Sequence, residues 1–214
     1  MTIVSPLLPS LAVIRRALEE FRLPAYDDQV LQIRDYIKIL LSWNHKVNLT
    51  AIRDPLDILY RHFCERMFAG VCVPIERGRL ADVGTGAGFP GLPLKILRPG
   101  LQVFLIEANL KKAAFLAEVI RMLGLRDAQV LVRRYDELGE EIAPLDFACV
   151  RALGEYPAFL DWAHSDHLGA KEVVLWIGSQ DLPGILKIPT WDWREPIPVP
   201  NSLRRLLLVG ARKT

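Results

Sequence analysis

Residues 80–91 read Leu80-Ala81-Asp82-Val83-Gly84-Thr85-Gly86-Ala87-Gly88-Phe89-Pro90-Gly91. A short apolar run hands over to glycines at alternate positions, and then to a proline that can open a helix. Without a Cβ, glycine permits a tight turn and lets backbone N–H groups approach a ligand. Each glycine also costs backbone entropy on folding, which argues against a merely structural turn. Ligands of open α/β sheets bind beyond the carboxyl ends of the strands, and this loop falls there.

Downstream, short apolar runs alternate with helical stretches. Segments 80–83, 102–106, 129–132, 147–150 and 173–177 read as strands, and 90–97, 111–123 and 157–164 as the helices between them. That alternation predicts an α/β fold with a parallel central sheet covered on both faces. The run 206–209 is expected to add an edge strand. The proline-rich stretch 188–200 is expected to be a loop, because proline lacks the N–H an inner strand needs.

Upstream the texture is helical. Leu11, Ile14, Leu18 and Phe21 fall at helical spacing, as do Val30, Ile33, Ile37, Leu40 and Leu41 after an Asp27-Asp28 start where either acid can cap. A third helix is expected from Asp54-Pro55, carrying Ile58, Leu59, His62, Phe63 and Met67, and stopping near Gly70. The division is therefore a helical extension over 1–77, packed on a core domain over 78–214 as one structural unit.

Composition narrows the classes. The chain has 214 residues, 51% hydrophobic and 24% charged, which suits a packed core and not disorder. The net charge is +2 and leaves a nucleic-acid partner open, since basic residues can be grouped locally. Cys64, Cys72 and Cys149 match neither a metal-ligand spacing nor a disulfide framework, and read as buried thiols. The apolar start is broken by Pro6 and Pro9 and soon reaches Arg15 and Arg16, so no signal peptide and no membrane segment are expected. His164 and His167 with Asp161 and Asp166 read as a solvated helix end, and no metal is expected.

Gly86 to Gly91 fits the GxGxxG of dinucleotide binders, and Glu107 ends the next strand where a ribose-binding carboxylate belongs. Asp82, however, completes the D-x-G-x-G-x-G pattern of methyltransferases. An acid there can face an ammonium but would repel a pyrophosphate. No substantial substrate domain follows the sheet. S-adenosyl-L-methionine is thus favoured, with an NAD-dependent oxidoreductase as the alternative.

Read with its flanks, the loop resembles the ribosomal RNA small subunit methyltransferase G family, also called glucose-inhibited division protein B. The resemblance is carried by Trp43-Asn44, Asn48-Leu49-Thr50-Ala51-Ile52, Arg61-His62-Phe63, Asp82 to Gly91 with Leu92-Pro93-Leu94, Arg134 to Leu138, and Arg151-Ala152. It covers roughly residues 30–160 and fades after Ala170. It implies a class I S-adenosylmethionine-dependent methyltransferase fold, Rossmann-like, with an N-terminal helical extension. It also implies methyl transfer to N7 of a guanine in 16S ribosomal RNA, met as free RNA or in the small ribosomal subunit; separately, a monomer in the cytoplasm is expected. Cofactor contacts are implied at Gly84, Phe89, Tyr135, Asp136 and Arg151, with Glu107, Ala108 and Asn109 facing the adenosine. The loop reading adds Asp82, Thr85, Gly86, Gly88 and Pro90.

Three positions depart from the family pattern. Glu65-Arg66 stands where an Asp-Ser pair is common, Tyr135-Asp136-Glu137 follows Arg134 in place of x-Glu-Glu, and Ile177-Gly178 replaces a Lys-Gly. Glu65, Arg66 and Ile177 motivate a further alternative, a non-catalytic RNA-binding or ribosome assembly factor.

Guanine N7 carries an in-plane lone pair, so methyl transfer there requires no general base. Arg61, His62 and Arg151 are the candidates for a catalytic contact, and Asn48, Thr50, Arg61 and His62 for contacts to RNA. Plainer readings stand beside them: a helix-ending turn for Asn48 and Thr50, a core histidine for His62, and an ion-paired arginine for Arg151. Lys38, His45, Lys46, Arg53 and Arg61 form either a phosphate-binding patch or scattered surface charge.

Overall fold

Alternation along the strands sorts side chains to two faces, and that sorting builds the molecule. The computed structural model describes residues 7–151 and 154–213. Strands β1 (Gly78–Val83), β2 (Leu101–Ile106), β3 (Ala128–Leu131), β4 (Phe147–Arg151) and β5 (Glu172–Gly178) lie parallel in the order β3-β2-β1-β4-β5. Leu80 and Val103 point into one core and Ala81 and Phe104 into the other. Both faces are apolar, which a parallel sheet flanked by crossover segments requires.

Three further strands depart from the sequence expectation. Strand β8 (Arg205–Arg212) is not an edge. It pairs antiparallel with β5 on one side, while β6 (Trp191–Trp193) and β7 (Ile197–Pro198) pair with it on the other. The stretch 188–200 is therefore no simple loop. Trp191 and Trp193 supply strand-forming aromatics. The prolines are tolerated because this is the outermost strand position, where one side needs no N–H.

On one face pack α1 (Leu11–Glu20), α2 (Asp27–Asn44), α6 (Gly91–Leu97) and α7 (Leu110–Leu123), sharing a core that includes Ile14, Ile33, Tyr36, Leu94 and Phe115. Burying each such side chain contributes roughly 1.5–3 kcal/mol. Ser10 caps α1 by accepting from Val13 N–H at 3.3 Å. Neither Asp27 nor Asp28 caps α2. Tyr26 holds that position, its N–H donating to Gln29 Oε1 at 2.8 Å, and the two acids sit in the first turn, where they complement the helix dipole. The opposite face carries α8 (Tyr156–His164) and α9 (Leu182–Ile185).

The third helix begins as expected, Asp54 accepting from Leu56 and Asp57 N–H at 2.9 Å each. It runs as α3 (Pro55–Ile58), a π-helical turn (Leu59–Cys64), α4 (Glu65–Met67) and α5 (Ala69–Cys72). Gly70 does not stop it. A Cβ there would stand 2.7 Å from Leu97 Cδ2, so this glycine serves close packing on α6. Cys64 and Cys149 are buried thiols, and Cys72 is half-buried.

Candidate active site

The glycine loop leaves β1 at Val83 with Gly84, Gly86 and Gly88 at φ of 62°, 62° and 84°. Two acids hold it. Glu107 accepts from Gly86 N–H at 3.0 Å and from Asn109 N–H at 2.8 Å. Asp82 accepts from Gly91 N–H at 2.7 Å and from the Thr85 hydroxyl at 2.5 Å. Strand alternation turns Asp82 beneath α6, so the carboxylate is fully buried and braces the loop from below. Burial pushes it up to about 6, against the pull of Thr85, Gly91 and Arg151. That placement differs from the sequence expectation of an acid facing the cofactor's ammonium.

A third support comes from outside the sheet. The Tyr36 hydroxyl, on α2, donates to the Ala87 carbonyl at 2.6 Å. Its ring stacks on Phe89 with centroids 5.5 Å apart and planes 13° from parallel. Gly88 packs against it so closely that a Cβ would collide with the Tyr36 hydroxyl. Gly86 differs: beyond 3.9 Å of the Gly84 carbonyl, its Cβ position meets open space.

Beside Gly84 lies a cavity of about 380 Å³ at the carboxyl ends of β1, β2 and β3, lined among others by Val83, Glu107, Ala108, Arg134, Tyr135 and Glu155. This is within the usual size of a small-ligand site. Of the expected contacts, Gly84, Glu107, Ala108 and Tyr135 face it. Asn109 instead caps α7, accepting from Lys111 and Lys112 N–H at 3.0 and 3.2 Å. Asp136 is exposed and pairs with Arg134 at 3.0 Å. Thr85 and Phe89 are buried, and Pro90 is the N-cap of α6.

On the other side of Phe89 lies His62. The two rings stack at 4.6 Å and 13°. The π-turn sets this position, Glu65 N–H reaching the Tyr60 carbonyl five residues back. His62 Nε2 sits 2.8 Å from Thr50 Oγ1, and that oxygen accepts from Ile52 N–H at 3.1 Å. Burial, then Arg151, Arg66 and Arg61, push the imidazole down to about 3, so it is neutral at ordinary pH. Asn44 ties the turn that follows α2, accepting from Leu49 and Thr50 N–H and donating to the Thr50 carbonyl at 2.9 Å. Asn48 and Arg61 are exposed. Arg151 ends β4 opposite Trp176 of β5, half-buried, and Ala152 lies outside the described residues.

The departures from the family pattern have places of their own. Glu65 is buried, its Oε1 2.9 Å from Arg205 and its carbonyl accepting from Trp176 Nε1 at 3.0 Å. Arg66 is buried beside it. Ile177 belongs to the core of the opposite face. Sequence reasoning did not single out Tyr36 or Arg205. Tyr36 had a signal, being a tyrosine on the apolar stripe of α2, where a buried hydroxyl needs a partner. Among the described residues there is no His, Cys, Asp and Glu group fit for a metal, and no helix long and apolar enough to cross a membrane.

Sheet order and loop define a class I S-adenosylmethionine-dependent methyltransferase fold. A methyltransferase from Aquifex aeolicus, described as SAM dependent, superposes with a TM-score of 0.59 at 16% identity, over 75% of this chain and 94% of that one. The ribosomal protein L11 methylase of Lactobacillus delbrueckii subsp. bulgaricus gives 0.58 at 18%, over 72% and 80%. Identities that low speak for the fold alone. Residues 29–185 match the GidB family model, described as rRNA small subunit methyltransferase G, and the chain belongs to that family. The ribosomal RNA small subunit methyltransferase G of Alkaliphilus metalliredigens is 35% identical over 162 residues, 72% of this chain and 66% of that protein. That of Roseiflexus sp. strain RS-1 is 47% identical over 113 residues, 53% of this chain and 48% of the relative. The chain thus spans about half to two thirds of the length of these relatives.

Proposed function

We propose that this protein transfers a methyl group from S-adenosyl-L-methionine to N7 of a guanine in 16S ribosomal RNA. The observation that carries the reading is the glycine loop, pinned by Glu107 and Asp82 beside an open cavity and backed by the His62–Phe89 stack. Open space at Gly86, where a side chain would stand, suits a ligand lying against backbone. Glu107 uses one hydrogen bond on each oxygen, and a carboxylate oxygen has further accepting capacity for a ribose hydroxyl. Ala108 and Tyr135 would flank the adenosine. When bound, the cofactor supplies an electrophilic methyl group on a cationic sulfur.

The chain's own work is alignment. His62 is neutral and hydrogen-bonded to Thr50, so it holds its ring against Phe89 without adding positive charge beside a cationic cofactor. No side chain has to take a proton, because the N7 lone pair is already free. Rate comes from holding acceptor and methyl group in line. An unpaired loop base is easier to present than a stacked one.

The NAD-dependent oxidoreductase is not favoured, given the family match. The assembly-factor alternative rests on Glu65, Arg66 and Ile177. We further place the protein in the cytoplasm as a monomer, with 1–77 and 78–214 forming one working unit. Labelled methyl transfer to undermethylated small-subunit RNA, read by nucleoside mass spectrometry, tests cofactor, base and ring position together. Cofactor binding without transfer to any RNA would refute the substrate assignment.

A further inference from the structure

The sheet edge beside His62 gathers more positive charge than it neutralises. Arg61, Arg66, Arg151 and Arg205 converge there from the π-turn, α4, β4 and β8. Two acids reach them. Glu65 is taken up by Arg205 at 2.9 Å, and Asp82 lies under the glycine loop, where it interacts with Arg151. Arg66 is only 6% exposed, and its Nε has no hydrogen-bond partner among the described residues. His62, the remaining titratable neighbour, brings no charge.

We propose that this arginine cluster binds a backbone phosphate of the RNA substrate next to the methyl-acceptor position. It deepens the RNA methyltransferase reading and rests on it for the identity of the ligand. Arg66 and Arg205 share the single carboxylate of Glu65, and burial with the neighbouring Arg151 pushes Arg66 down to about 9. A phosphate relieves that pressure, and its oxygens match the forked donors of arginine. Arg61 is exposed and the Arg205 side chain retains 31% of its surface, so an RNA phosphate can meet these two from solvent. Arg66 and Arg151 lie beneath as the charged floor.

The test compares Arg66→Gln, Arg66→Lys and exposed Arg61→Gln with the wild type, measuring RNA affinity across salt concentrations. Loss of one phosphate contact should lower affinity about tenfold and reduce the slope of log K on log salt by about 0.7, the single-strand value per phosphate. Arg66→Lys should keep the slope, and affinity for S-adenosylmethionine should not move in any variant. If Arg66→Gln fails to fold, Arg61→Gln carries the same expectation without disturbing a buried site. Wild-type affinity and slope in a folded Arg66→Gln and in Arg61→Gln overturn the proposal. Inorganic phosphate separates this site from the RNA reading, because it should raise the melting temperature of wild type more than of Arg66→Gln. That response without any RNA methylation would leave the anion site standing and remove the RNA reading. Indifference of the wild type to both phosphate and RNA would remove the site as well.

Discussion

At the cavity lined by Gly84, Glu107 and Tyr135, the shape is set by backbone N–H groups tied to acids at the ends of strands. Around His62 and Arg66 it is set by side chains brought in by helices and by β8. The first end is open and needs glycine. The second is buried, aromatic and cationic. A cofactor site can be written locally into one strand–turn–helix unit, whereas the acceptor side has to be assembled from segments far apart in the chain. Four substitutions break or sharpen that contrast.

The largest effect should come from Gly88→Ala. The residue sits at φ 84° with the Tyr36 hydroxyl where a Cβ would go, so the loss should be about 4 kcal/mol, combining overpacking and backbone strain. Denaturant unfolding measures it. Gly86→Val meets open space but places a β-branched side chain at φ 62°, so it should cost about 1–3 kcal/mol of stability while lowering cofactor affinity about 100-fold, or about 2.7 kcal/mol. Calorimetric titration beside a thermal melt separates the two. Retained cofactor affinity in this variant would show that the loop is not the binding site.

Glu107→Gln removes the charge on which Gly86 N–H rests and should weaken cofactor binding about tenfold, leaving the His62 end unchanged. His62→Phe tests the other end by pH. The folded imidazole, at about 3, lies below its free value of 6.5. The unfolded chain takes up a proton that the fold refuses, so stability falls as pH drops below about 6, by up to ~1.4 kcal/mol per unit. His62→Phe should flatten that limb. Asp82 works in the opposite sense. Its carboxyl is raised from 3.8 to about 6, so it favours the fold at low pH and that contribution is lost as pH rises between those values. Guanidinium midpoints from pH 4 to 7 resolve both slopes. An unchanged acid limb in His62→Phe would mean the imidazole charges freely in the fold.

What could be read from sequence followed the same division. The β1 loop, the parallel strands and Glu107 are local patterns of two-residue alternation and glycine spacing, and they stand where expected. Asp82 was legible as an acid two residues before Gly84, but its direction depended on which face of β1 its neighbours took. Leu80 lies inward toward α6, and Asp82 goes with it. Strand β8 looked like an edge because its cover, Trp191–Trp193 and Ile197–Pro198, lies in a proline-rich stretch whose pairing is non-local. The arginine cluster draws on residues 61, 66, 151 and 205, and no spacing rule connects those positions.

The hydroxyl of Tyr36 reaches across 51 residues to the Ala87 carbonyl. During synthesis from the N-terminus, α2 emerges before the loop it will hold, and it must wait for β1 to arrive. Closing that long span costs chain entropy that forming α2 alone does not. A ligand of the finished loop therefore favours only chains in which the first third has docked, and its binding should slow amide exchange in α2 as well as in the loop itself.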